Sequence, residues 1–375
     1  MDGMSTAGRP TRRDFLQGRA VVQSLAAAIV GPDAGTLETS PQALSTADDS
    51  KRPAAGTLMS FRRRVMACEF EVQLAAGRQD GSTERVLAAL DLVESLEDQM
   101  TIYRADSEVL RINRQAAAGP VPVEPRLFAM FQLAERLYRD TEGAFDVTSN
   151  PLSEVWGFSR RQGRLPSDAE IVAALERVGM DGVVLDAEHH SVAFQRPGLS
   201  LHLNSIGKGY ALDRMAEMLD GIGDEDGDSV GNYLLHGGRS SVLARGDCPG
   251  GGKPGWTIGV PHPLRPGERL TEVSLVNQSL GTSGSGTQFF EHAGRRYGHL
   301  LDPRTGWPAE DIFSATAIAA TAAEADALST AFYIMGPEKV ERFCAERPDV
   351  AAVLVCPGEQ EDGVRVWSFG LANTG

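Results

Sequence analysis

The order in which two periodicities follow one another along the chain constrains its fold more than any single motif. Apolar residues recur at helical spacing over residues 83–100, where Val86, Leu90, Val93 and Leu96 share a side, and again over 125–141, 168–178, 209–221 and 323–335. Short apolar runs suited to strands occupy 61–74, 183–185, 192–194, 199–203, 233–236, 256–260, 270–275, 315–320 and 351–356. Helices and strands come in clusters, without the strict βαβ alternation that a doubly wound parallel sheet needs. The order therefore predicts an α+β fold, a mixed α/β arrangement in one domain. With 375 residues, 42% of them hydrophobic, the chain has enough apolar material for a sizeable core.

The N-terminal stretch reads differently. Thr11-Arg12-Arg13-Asp14-Phe15-Leu16-Gln17 has the form of a twin-arginine export signal, and the apolar run over 20–30 behind it is too short to span a bilayer. Residues 1–30 are expected to be an export leader and 31–57, rich in Pro, Ser, Thr, Asp and Ala, a flexible linker. The folded domain is expected over 58–375, with the mature chain soluble, free of transmembrane segments and periplasmic or otherwise exported. A formal charge of −15 excludes sequence-independent binding to nucleic acid, which requires clustered Lys and Arg. The same acidity means that an anionic substrate would need a local cation, helix N-terminus or metal ion to reverse the field. Cys68, Cys248, Cys344 and Cys356 form no CxxC pair and have no spacing typical of a zinc site.

Three segments carry candidate chemistry. His299 stands three residues before Asp302-Pro303-Arg304-Thr305-Gly306, a turn in which proline fixes φ and Asp302 can accept from the following amides, so the imidazole has a defined aim. On the last predicted long helix, Asp326, Ser329 and Thr330 lie at i, i+3 and i+4; this hard oxygen set suits Mg²⁺, and an Asp and a Thr near a helix start also fit ordinary capping chemistry. Residues 201–210 pass from an apolar run through Asn204-Ser205-Ile206-Gly207-Lys208-Gly209 into a helix, a junction that presents amides and one lysine to a phosphate without the spacing of a P-loop. Ser205 and Lys208 also form an S-x-x-K pair that a serine acyl-enzyme could use. The glycine- and hydroxyl-rich 281–286 reads as a flexible loop that a ligand could approach, and the aromatic residues around Gly143, Gly157 and Asp146 suit either a planar ring or plain core.

Taken in order, these segments resemble the ApbE family of FAD:protein FMN transferases over residues 61–336. The resemblance is carried by Met66-Ala67-Cys68, Tyr103 with Ser107 and Asn113, 143–148 with Pro151-Leu152 and Trp156-Gly157-Phe158, 206–213, Gly237-Gly238, Thr282-Ser283-Gly284, 299–306 and 325–330. It implies a fold of the T-fold type, FAD as substrate, Mg²⁺ at the pyrophosphate, and transfer of FMN to a Thr or Ser hydroxyl of an acceptor protein with release of AMP. It further implies that Tyr103 holds the flavin, that Met66, Ala144, Phe145 and Asp146 line the FAD site with His202, and that Lys208 lies near the dinucleotide. Asp326, Thr330 and the carbonyl of Ser205 would hold the metal with Ser329 beside them, and His299 would be the base. Two positions depart from the family pattern: His202 stands where an FAD-contacting Asp is usual, and Arg239 where an acid is common. The His202 departure keeps a non-catalytic flavin-binding protein in view, and an Mg²⁺-dependent hydrolase giving FMN and AMP is the nearest enzymatic alternative.

Overall fold

The computed structural model describes residues 57–76, 81–222, 229–284, 286, 288–359 and 363–371. The expected leader, and all of the linker except Thr57, lie outside them.

The chain starts with β1 (Leu58–Val65), β2 (Cys68–Ala75), α1 (Ser82–Met100), α2 (Glu108–Gln115), β3 (Val121–Pro122) and α3 (Pro125–Asp140). It continues through α4 (Asn150–Val155), α5 (Asp168–Leu175), β4 (Val183–Asp186), β5 (Ser191–Phe194), α6 (Gly207–Leu219), β6 (Tyr233–Gly237), β7 (Ser241–Arg245), β8 (Trp256–Pro261) and β9 (Arg269–Leu275). The remainder is β10 (Ser279–Gly284), β11 (Phe289–His292), β12 (Arg295–Gly298), β13 (Ser314–Ala319), α7 (Ala322–Met335), α8 (Pro337–Glu346), β14 (Ala351–Pro357) and β15 (Val364–Phe369).

An eight-stranded antiparallel sheet in the order β1-β2-β6-β7-β10-β13-β14-β15 forms the centre, so the mixed α+β expectation holds. Side chains alternate across it with period two. On β13, Ala315, Ala317 and Ala319 join the core under the helices, and Ile318 joins a second core beneath the β8–β9 hairpin. Both faces are thus covered, which explains why β13 and β14 are apolar without alternation in the sequence.

Helix α7 is buried almost all round, packed on β10, β13 and α6. Its alanines let neighbouring backbone come close, and two glycines make that closeness obligatory. A Cβ on Gly209 of α6 would lie 2.0 Å from the Ala322 carbonyl oxygen, and one on Gly281 of β10 would lie 2.4 Å from that of Ala325. The two helices also cap each other. Asp213 of α6 accepts from the Ala322 and Ala323 amides at 2.8 Å each, and Asp326 of α7 accepts from the Gly209 amide at 2.8 Å. Each carboxylate satisfies amides that a helix leaves unpaired at its start and favours the positive end of the dipole.

Three expectations need correction. Residues 61–74 are two strands rather than one, folded back at Met66 and Ala67 with φ of 50° and 57°. That left-handed pair is what a two-residue hairpin turn requires, and Met-Ala lacks the Asn-Gly signal that announces it. Residues 199–203 form no strand: the Leu201 amide donates to Asn113 Oδ1 and the His202 amide to the Val147 carbonyl, each at 2.7 Å, so loop partners replace a ladder. The segment read as a flexible loop at 281–286 is in its first four residues part of β10, inside the sheet, where glycine and hydroxyl side chains make room for α7. All four cysteines are free.

Candidate functional site

Along one edge of the α6–α7 pair opens a cavity of about 700 Å³. The hairpin turn gives it Met66, the segment after α1 gives Tyr103, and the loop after α3 gives Ala144, Phe145 and Asp146. The segment entering α6 contributes His202, Ser205 and Lys208, the segment after β12 contributes His299, and α7 contributes Asp326, Ser329 and Thr330. The residues expected to hold FAD, metal and the acceptor's proton all line this one space.

The α7 oxygens form a connected cluster. Asp326 Oδ1 accepts from Ser241 Oγ at 2.6 Å, while Oδ2 accepts from the Gly209 amide and lies 3.7 Å from Lys208 Nζ. Ser329 Oγ donates to the Asp326 carbonyl at 2.8 Å, and Ser283 Oγ sits 2.8 Å from Ser329 Oγ and 3.0 Å from Thr330 Oγ1. Burial pushes the Asp326 carboxyl above the ordinary carboxylate range, against the opposing pull of Lys208 and of its hydrogen bonds. Each of its oxygens keeps a lone pair beyond the bonds it accepts. Among the described residues no three His, Cys, Asp or Glu gather as a cage for a metal. One carboxylate among hydroxyls is instead the set expected for Mg²⁺, which keeps waters and shares its shell with substrate phosphate. The donor chemistry therefore fits that ion.

His299 is held on a separate wall. Its Nδ1 lies 3.0 Å from the Gln288 carbonyl oxygen. A carbonyl only accepts, so Nδ1 carries the proton and Nε2 is left as the free base. Burial lowers the imidazole's pKa, with the Gln288 bond opposing, so the ring is neutral near pH 7. Behind it, the Phe158 ring stands edge-on at 6.4 Å within a cluster that includes Trp156, Phe290 and Tyr297. The following turn forms as its sequence suggested: Gly306 donates to the Asp302 carbonyl at 2.8 Å, and the Arg304 guanidinium grips both Asp302 carboxylate oxygens at 2.8 Å. Trp156 Nε1 donates to the Gly306 carbonyl at 2.9 Å, tying the turn to the aromatic cluster.

Other predicted residues divide by exposure. Tyr103 is 73% exposed, an aromatic ring at the mouth with room for a planar partner. Phe145 is buried core at the cavity wall, and Trp156 does not line the cavity. The Asp146 carboxylate turns to Thr148 Oγ1 and to the amides of Thr148 and Met180; burial outweighs these bonds and pushes it up to about 6. Burial drops His202 to about 4, making it a neutral ring rather than the anion an Asp would supply there. Sequence reasoning missed Ser241 and Ser283 as partners of the α7 oxygens, and missed Glu97, Arg161 and Gln288 on the lining. The Thr282-Ser283-Gly284 motif was the one available signal for Ser283.

A half-buried, neutral base lining the same cavity as a hydroxyl-rich carboxylate cluster and a lysine, in a space large enough for a nucleotide-sized ligand, is equipped for transfer of a group from a phosphate ester or anhydride. A model of the ApbE family matches residues 66–354, and the chain belongs to that family. A FAD:protein FMN transferase from Klebsiella pneumoniae is 29% identical over 355 residues, covering 93% of this chain and 94% of its own. The flavinyl transferase ApbE of Pseudomonas stutzeri, solved in its apo form, superposes with a TM-score of 0.71 at 30% identity, over 84% of this chain and 95% of that one. The ApbE protein of Thermotoga maritima gives 0.72 at 27% identity, over 84% and 97%.

Proposed function

We propose that this protein is an enzyme that transfers FMN from FAD to a Thr or Ser hydroxyl of an acceptor protein, releasing AMP. The observation that carries this reading is the shared cavity, which His299, Asp326, Ser329, Thr330 and Lys208 all line. The names of the relatives support the flavin and the protein acceptor.

In this reading the acceptor hydroxyl gives its proton to His299 Nε2 while its oxygen attacks the phosphorus of the FMN moiety. A P–O bond to the acceptor forms, the anhydride P–O bond breaks, and AMP leaves with the electron pair. Gln288 holds the imidazole in the tautomer that can accept. Asp326 and Thr330, with the Ser205 carbonyl and Ser329 close by, would hold Mg²⁺, and that ion when bound offsets charge on the pyrophosphate. Lys208 adds a fixed positive charge on the same side. Tyr103 offers a face to the isoalloxazine at the mouth, and Met66, Ala144 and Phe145 enclose it.

The test is incubation of the purified protein with FAD, Mg²⁺ and candidate acceptor proteins, followed by mass spectrometry. A covalent FMN adduct on a Thr or Ser with equimolar AMP is expected. AMP and FMN released at full rate without an acceptor would make the protein an FAD hydrolase, and tight FAD retention without turnover would make it a flavin carrier. We further propose, from the Arg12-Arg13 segment, that it acts outside the cytoplasm; fractionation that recovers it only in the cytoplasm would reject this.

A further inference from the structure

We propose that Arg161 is a substrate-positioning cation, its guanidinium donating to nonbridging oxygens of the dinucleotide pyrophosphate on the His299 side of the cavity. The inference rests on the proposed FAD reading and extends it to a residue outside the motifs above.

Charge leads to it first. Of the permanent cations on the lining, Lys208 is engaged with Asp326 at 3.7 Å, whereas Arg161 pairs with no carboxylate among the described residues. The same lining carries Asp146, Asp326 and Glu97, and His202 and His299 are neutral there, so beyond Lys208 and the metal proposed above, Arg161 is the side-chain cation on the lining that an incoming pyrophosphate can engage. Other arginines of this acidic chain, such as Arg62, Arg164 and Arg347, are tied to carboxylates, whereas Arg161 lines the cavity without one.

Backbone geometry leads to it second. Arg161 is a non-glycine residue at φ 53°, closing the one-turn 3₁₀ helix Phe158–Arg160. Left-handed conformations outside glycine cost on the order of 1–3 kcal/mol and persist where surroundings impose them, most often at functional sites. Here the surroundings are specific. Gln288 Nε2 donates to the Phe158 carbonyl at 2.8 Å, the Gln162 amide to the Gly157 carbonyl at 3.1 Å, and Gly163 lies so close to Phe290 that a Cβ would stand 2.7 Å from it. Gln288 is also the residue that fixes His299. Gln288 thus ties the arginine's loop through its side chain and the base through its carbonyl, so Arg161 and His299 belong to the same part of the lining. The guanidinium's planar fork matches two phosphate oxygens, as an ammonium does not.

The experiment compares wild type, Arg161→Ala and Arg161→Lys by flavin fluorescence titration with FAD and with riboflavin, which has no phosphate. We expect Arg161→Ala to raise the Kd for FAD on the order of tenfold, Arg161→Lys to recover part of it, and riboflavin affinity to stay within twofold. Equal weakening of both ligands, or no change for FAD, would overturn the proposal; so would unchanged FAD affinity with a raised KM for the acceptor, which would make Arg161 an acceptor contact. Wild-type protein that binds no FAD would overturn the proposed function itself and this inference with it.

Discussion

Gly209→Ala is the perturbation that reaches furthest into this molecule from the smallest chemical change. The added methyl would sit 2.0 Å from the Ala322 oxygen, 2.3 Å from its carbonyl carbon and 2.7 Å from the Ala323 nitrogen, all backbone atoms that no rotamer change can move. Reaching ordinary contact at 3.4 Å requires α6 and α7 to part by about 1.4 Å. That displacement takes the 2.8 Å bond from the Gly209 amide to Asp326 out of range and pulls Lys208 from the carboxylate it faces. Overpacking of this kind costs ~1–3 kcal/mol and the lost charge-assisted bond ~1.5–3 kcal/mol, so Tm should fall by roughly 5–12 °C. Activity should fall by more than stability does. Misplacing a catalytic group by about 1 Å costs on the order of 100-fold, and FMN transfer measured well below the variant's Tm should show that loss. The assay is thermal unfolding by circular dichroism paired with transfer rate at one temperature where both proteins are folded. A variant with wild-type Tm and rate would refute the claim that α6 and α7 must touch to set the site.

Further outcomes follow from the same geometry. Replacing His299 with Ala should lower kcat on the order of 10²–10⁴-fold; in the wild type, kcat should be flat at neutral pH and fall in acid below 6.5, because burial lowers the imidazole's pKa and protonation removes the base. Rate measurements from pH 5 to 8 check both. Asp326→Asn offers one acceptor oxygen where the carboxylate uses two, for Ser241 Oγ and the Gly209 amide, so Tm should fall by roughly 2–6 °C, and the Mg²⁺ needed for half-maximal rate should rise about 10–100-fold, read from Mg²⁺ titrations. Asp213 is pushed up to about 7 in the fold from an ordinary 3.8 by burial, so the folded state holds its proton between those values and the stability Asp213 contributes declines as pH rises through that window. Asp213→Asn should remove that slope, seen as urea midpoints of variant and wild type that converge or cross between pH 5 and 8.

Much of this site could be read from sequence because its chemistry sits in compact local patterns. His299 stands beside a rigid turn, the α7 oxygens share a helical face, and Lys208 follows a glycine at a helix entrance. Helices α1, α3, α5, α6 and α7 were legible for the same reason, since apolar spacing repeats within each of them, whereas α2, α4 and α8 were not read. What escaped was whatever depends on contact across the chain. Ser241 reaches Asp326 from 85 residues away, and Ser283 bridges to Ser329 across 46, with no spacing rule to link them. The Met66–Ala67 turn carries none of the residues that favour left-handed backbone, so the hairpin is imposed by the pairing of β1 with β2 rather than announced by its turn. Residues 281–284 looked like a loop because two of the four are glycine, which weakens a strand; inside the sheet Gly281 is favoured because α7 needs the space. The reciprocal caps of Asp213 and Asp326 were similarly hidden, since each acts on the other helix.

The central claim is that a base, an oxygen cluster and a lysine from three distant segments act on one phosphoanhydride. A crystal structure with FAD and Mg²⁺ bound tests it most directly. The account predicts a cation at about 2.0–2.1 Å from Asp326 and Thr330 oxygens that also touches the pyrophosphate, with His299 Nε2 facing the FMN phosphorus. A dinucleotide bound with its phosphates away from Asp326, or with His299 on the adenine side, would contradict it.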